Sequence, residues 1–371
     1  MEKRKGITAY CSIWALFLVG LALVCGAVHI LSVVSEGFAE GFNGSIGAFF
    51  RLVLAKATGW LPFSLGEALI IVLPIVCVIL VIQAVRLAQR NQRTVAIRFL
   101  VGLLAVITLF YSLFVLTFAT AYRGKPLEEK LGLERKKVSA EALEQTAMLL
   151  LNRSNELAET AIAFSSDGAS DMGYTQRELN DKLNEAYAKA TERYSFMQSM
   201  NSRVKGVLLS EVLSYAHITG VYTYYTGEAN INVRFPDYTV PYTMAHEMAH
   251  QRGLAREDEA NFVAFLVCME SEDAYIRYSA YLNLYEYVAS ALSRADRERY
   301  KAVVATRSER IVGEQKAYRL FFEPYRENVV ADVSNAVNNS YLPTQGQVAG
   351  ISSYGLVVDL AVAHYLAGGM T

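Results

Sequence analysis

The chain has 371 residues, 53% hydrophobic and 19% charged, with a formal net charge of -1. That length exceeds one typical domain, and the apolar excess is concentrated in the first third, which fits a membrane anchor followed by one globular domain. The balanced charge, without a dense Lys/Arg tract away from the apolar runs, argues against a nucleic-acid partner. Three of the four cysteines (Cys11, Cys25 and Cys77) lie in apolar runs, so Cys268 has no partner for an internal disulfide and reads as a buried small apolar residue.

Three apolar runs open the chain. Ile7 to Val34 carries no formal charge, Ala68 to Val85 is a second uncharged run with Pro74 inside it, and Phe99 to Tyr122 is the third. At 1.5 Å per residue each is long enough to cross a hydrocarbon core of ~30 Å. A cleaved signal peptide is the competing reading of the first run, but the run is long for one and two further spans follow it. Lys3, Arg4 and Lys5 precede the first span, and Arg86, Arg90, Arg93 and Arg98 link the second to the third. The positive-inside rule then puts the N-terminus in the cytoplasm and residues 124–371 outside it. Between the first two spans, Ile46, Phe49, Phe50, Val53, Leu54 and Trp60 suggest either an amphipathic segment on the bilayer surface or packing against the spans.

From Gly124 the text becomes mixed apolar and charged. Periodicity predicts helices over Glu128 to Arg153, Arg177 to Met200, Val207 to Tyr215, Glu272 to Leu292 and Arg294 to Val337, the last broken or kinked at Pro324. A loop is expected from Asn338 to Gly350, then a short helix from Val357 to Leu366. Alternating aromatic and β-branched residues around Gly220 to Val233 predict strands or a hairpin. The expected fold is three transmembrane helices over residues 1–123, then a mainly α-helical α+β domain with a small sheet.

One motif carries chemistry. Tyr242-Thr-Met-Ala-His-Glu-Met-Ala-His-Gln-Arg-Gly contains an HExxH pattern. On a helix, His246 and His250 are four apart and share one face, so two imidazoles can hold one Zn²⁺. Glu247 is rotated ~100° from His246, where a general base can border the metal without ligating it. Gly253 can end the helix with a positive φ. A third protein ligand is needed. Glu257 is the favoured one, with Asn261 on the same face of the next helix as orienter of a ligating imidazole; Glu259 remains the alternative. A metzincin spacing would put its third ligand at Arg256, which cannot bind zinc.

Arg256 to Asn261 resembles the ExxAD signature of gluzincin metallopeptidases, with Asn261 in place of the usual Asp. More closely, the chain resembles a bacterial family of uncharacterised membrane proteins that combine three N-terminal spans with a C-terminal HExxH domain. The shared stretches are Leu61 to Glu67, Tyr225 to Asn232, His246 to Gly253, Glu257 to Phe265 and Gly350 to Leu360. The resemblance implies a gluzincin-like (zincin-like) domain, one Zn²⁺ per chain, a peptide or protein substrate and a place in the bacterial cytoplasmic (inner) membrane. In such enzymes an edge strand before the zinc helix pairs with extended peptide, which makes Glu228 and Asn230 candidate substrate contacts. Tyr224, Tyr225, Tyr341 and Tyr354 are candidate oxyanion donors. Two other readings stay open: a zinc-binding envelope module without catalysis, and spans acting as a transporter or scaffold. The absence of intramembrane charges disfavours ion transport.

Overall fold

The computed structural model describes residues 10–90, 92–135, 137–345, 347 and 356–369. The chain divides into two units, one of residues 1–124 and 223–227, the other of residues 125–222 and 228–371.

The first unit is helical. α1 (Ile13–Val34), α2 (Glu36–Phe42) and α3 (Ala48–Gly59) are followed by α4 (Leu65–Gln89) and α5 (Arg93–Thr117), with a single π-helical stretch, Asn43–Gly47, between α2 and α3 and a 3₁₀ turn, Ala119–Arg123, at the end. Ser12, Ser35 and Ser64 cap α1, α2 and α4 with their hydroxyls, satisfying amide groups that the helices leave open. α1, α4 and α5 are long and apolar enough to cross a membrane, and their side chains are largely exposed, as a lipid-facing surface requires. α5 starts six residues before the predicted third span and stops five short of its predicted end, where the 3₁₀ turn takes over.

The segment between the first two spans is helical from Glu36 to Gly59. Its apolar residues Ile46, Phe49, Val53 and Trp60 are exposed, while Arg51 points inward. The guanidinium donates to the Asn43 carboxamide oxygen (2.7 Å), the Asn43 carbonyl (2.9 Å) and the Thr117 carbonyl (3.0 Å). Turn 223–227 completes this unit: Tyr224 packs edge-on against Phe114 and Tyr225 against Phe110.

The second unit holds the remaining elements: α6 (Leu127–Leu131), α7 (Ala140–Thr160), β1 (Ala163–Phe164), β2 (Ser170–Asp171), α8 (Gln176–Arg193), β3 (Lys205–Gly206), α9 (Ser210–Tyr215), β4 (Gly220–Thr223, its last residue in the first unit), β5 (Glu228–Ile231), α10 (Val240–Gln251), α11 (Glu257–Met269), α12 (Ala274–Ala295), α13 (Arg297–Val304), α14 (Glu309–Phe322), α15 (Val329–Thr344) and α16 (Val357–Leu366). β1 and β2 pair antiparallel. The other sheet has the order β3-β5-β4, with β3 parallel to β5 and Lys205 opposite Asn230. Its core is formed by α7 against α12 and by α10 and α11 stacked on α12, with Met244, Ala245, Phe262, Val263, Tyr278 and Leu282 wholly buried. Cys268 is buried there, and all four cysteines are free.

Several predicted boundaries are corrected. The helix expected over Glu128 to Arg153 is two, because Gly132 (φ 65°) ends α6 and a new helix starts from the Ser139 cap. α8 stops at Arg193 rather than Met200. The run Arg294 to Val337 is broken at Pro324, as expected, in a 3₁₀ turn before the Asn328 cap of α15, and at two further places, where Asp296 caps α13 and Ser308 caps α14. α15 continues to Thr344, through much of the expected loop, with Pro343 tolerated in its last turn.

Candidate metal centre

α10 follows a 3₁₀ turn and has Pro241 in its first turn, where a missing amide proton costs nothing. It is buried on every side, as its small and apolar residues Met244, Ala245, Met248 and Ala249 allow. Three side chains tie it to its surroundings. The Tyr187 hydroxyl donates to the Ala245 carbonyl (2.6 Å) and the Tyr242 hydroxyl to the Asn261 carbonyl (2.8 Å). The Arg252 guanidinium stacks over Tyr187 at 3.8 Å and donates to the carbonyls of Met248 and Met200. Burial lowers Arg252 to about 10.

On this helix the His246 and His250 rings stand perpendicular with centroids 4.5 Å apart. Gly253, at φ 89°, reverses the chain so that the Leu254 carbonyl returns onto His250 Nδ1 at 2.6 Å. A carbonyl only accepts, so Nδ1 carries the hydrogen and Nε2 is turned toward Glu257. Glu257, the first residue of α11, brings Oε2 to 3.3 Å from His246 Nε2 and 3.5 Å from His250 Nε2. Ligands held tetrahedrally at ~2.0–2.2 Å from one ion are ~3.3–3.6 Å apart, so two imidazole nitrogens and a carboxylate oxygen at these separations fit a zinc-sized cation. Among the described residues, His246, His250 and Glu257 are the group that could hold a metal.

The electrostatics follow from this clustering. Burial alone would lower His250, but the Glu257 carboxylate outweighs it and lifts the imidazole to about 9. Burial and the neighbouring His250 lower His246. Burial opposes ionisation of Glu257 also, yet the two imidazoles hold it far below the usual carboxylate range. Glu247 is pushed up to about 8 by burial, and its Oε2 has no hydrogen-bond partner among the described residues.

Glu259, the alternative ligand, is committed elsewhere: its Oε1 accepts from the Leu127 amide (3.0 Å) and from Arg256 (2.8 Å). The buried Asn261 lies beside His246 and Tyr287 and influences both. Neither His246 Nδ1 nor Asn261 Nδ2 makes a hydrogen bond among the described residues.

The expected substrate residues are not presented as an edge. β5 is the central strand; Glu228 is buried in an ion pair with Lys205, and Asn230 donates to the Val221 carbonyl at 3.2 Å. The edge strands are β3 and β4, and Gly220 of β4 lies against the general-base candidate: a Cβ there would be 2.6 Å from Glu247 Oε1. Of the tyrosines named from sequence, Tyr224 and Tyr225 belong to the first unit, Tyr341 lies half-buried on α15, and Tyr354 lies outside the described residues. The phenol close to the ligand set is Tyr287 on α12, pushed up to about 12 by burial and by Glu257. It has no motif of its own, and only its helix packing reveals it.

A family model described as "Protein of unknown function (DUF3810)" matches residues 43–362. No curated protein and no solved structure matches the chain.

Proposed function

We propose, for a chain that belongs to this family of unknown function, that it is a membrane-bound zinc-dependent metallopeptidase of gluzincin-like fold. The observation that carries this reading is the convergence of His246, His250 and Glu257 with a buried carboxyl, Glu247, one residue along from the first histidine. A zinc ion held by His246, His250 and Glu257 would supply Lewis-acid polarisation of a carbonyl and acidification of water. Glu247 would take the proton of the attacking water and return it to the leaving amine. Asn261 would orient His246, and the Tyr287 hydroxyl would be a donor for a developing oxyanion. β4, an edge strand whose Gly220 lies beside Glu247, is the strand on which an extended peptide would lie.

The same proposal puts the globular unit outside the cytoplasm, on the strength of Arg86, Arg90, Arg93 and Arg98 between the second and third spans. The rival is a zinc-binding module without catalysis.

One experiment separates them. Full-length protein in detergent micelles is assayed for zinc and for cleavage of an unstructured protein such as casein. Wild type should carry one zinc per chain and cleave. Glu247→Gln should keep the zinc and lose turnover by ~10³-fold or more, while His246→Ala loses both. A zinc-free wild type overturns the metal reading, and a zinc-loaded wild type that matches Glu247→Gln in every assay leaves the binding module.

A further inference from the structure

Glu257 opens α11, yet this helix has no side-chain cap of its own, since Arg256 at the N-cap makes no capping bond. Its first turn is held instead by its two acidic neighbours. Asp258 accepts from Arg135 at 2.7 Å, and its carboxylate is almost wholly buried. Glu259 accepts from the Leu127 amide. Arg135 also lies 3.2 Å from Glu128 and feels the charge of Asp359 on α16. The two residues that follow the carboxylate in the candidate metal cluster are therefore gripped by one stretch, 127–135. It consists of α6 and the coil after it, close behind the last apolar helix in sequence.

We infer that residues 127–135 form a positioning strap for Glu257, and that metal retention depends on the bonds from Arg135 to Asp258 and from Leu127 to Glu259. The inference rests on the metal reading proposed above. A carboxylate on an uncapped first turn can swing away from two imidazoles at little cost; with the next two residues pinned, the turn that carries it is fixed. Groups that orient metal ligands in this way typically change affinity 10–100-fold when removed. The strap also makes the segment that leaves the third apolar helix a lever on metal occupancy.

The test uses full-length protein in micelles and competition for zinc with a chromogenic chelator. Arg135→Met and Asp258→Asn should each weaken zinc binding ~10-fold or more, and the double variant should be no weaker than the worse single, because one bond is lost in all three. Arg135→Lys should recover part of the loss. Arg153→Met, which removes an exposed ion pair with Glu156, should bind as wild type does. Metal-free Arg135→Met should melt below metal-free wild type, because Asp258 loses its partner, and its zinc-induced rise should be smaller than that of wild type.

Wild-type affinity in Arg135→Met, or losses that multiply in the double variant, overturns the strap. So does a metal-free Arg135→Met whose melting falls as far as that of its zinc-loaded form, which marks a merely structural pair. A wild type that takes up no zinc brings down the metal reading and the strap with it; a wild type that binds tightly beside an equally tight Arg135→Met brings down the strap alone.

Discussion

His250 Nδ1 and the Leu254 carbonyl meet at 2.6 Å across a turn that only Gly253, at φ 89°, makes easy. The orientation of one imidazole is thus set by the backbone that follows it. Gly253→Ala forces a side chain into the left-handed region at a cost of ~1–2 kcal/mol and shifts that carbonyl. Zinc affinity should fall ~10-fold in equilibrium competition, although no ligand has been touched. Unchanged affinity would show that the bond does not orient the ring.

Gly220 offers a sharper test of the proposed general base, Glu247. An alanine Cβ would lie 2.6 Å from Glu247 Oε1 and 2.7 Å from its Cγ, so the carboxylate must move. Gly220→Ala should lower turnover ~10²-fold, the usual result of misplacing a reacting group by about an ångström. Zinc content, measured by elemental analysis, should stay at the wild-type level.

Glu286 makes stability depend on pH. Burial pushes its carboxyl up to about 7, opposed by contacts from Gln315 and the Tyr238 hydroxyl. The folded chain therefore holds this proton more tightly than the unfolded chain does. The contribution is complete below the ordinary carboxylate range, near pH 4.5, and is lost as pH rises to about 7, on the order of 3 kcal/mol in all. Glu286→Gln should flatten melting temperature against pH across that window. Some slope should survive, because Glu314 is raised by burial as well. An identical pH profile in the variant would count against a buried, protonated Glu286.

Glu228 distinguishes a structural role from a substrate-binding one. Its ion pair with Lys205 is buried, and removal of one partner strands the other charge. Glu228→Ala should cost ~3–5 kcal/mol, seen as a fall of roughly 6–20 °C in the melting temperature. If Glu228 contacts peptide instead, melting would stay constant and KM would rise.

Much of this architecture is readable from residue order, for definite reasons. Uncharged runs of membrane-spanning length have few other uses, and α1, α4 and α5 fall on the three that were expected. The spacing of His246 and His250 is local, so a helix suffices to bring them together. Glu257 against Glu259 turned on where α11 points, and the cluster contains the first while the second is occupied by Leu127 and Arg256. What sequence could not supply was non-local. Nothing in the text around Tyr287 ties it to a histidine forty residues earlier. The position of Glu228 on a central rather than an edge strand depends on β3, two residues long and without a pattern of its own. The helix breaks at Asp296 and Ser308 are not legible because caps look like ordinary surface residues unless periodicity also fails there.

The turn at 223–227 has a practical corollary for anyone dissecting this protein. Since those five residues count with the apolar helices, the polypeptide passes from one unit to the other three times rather than once. A fragment begun at Lys125 would keep β4 and β5 but strip Tyr224 and Tyr225 of Phe114 and Phe110, leaving the loop that joins them without its packing. Proteolytic release at residue 124 would be expected to loosen the strand beside Glu247, so that severing the anchor is not a neutral operation.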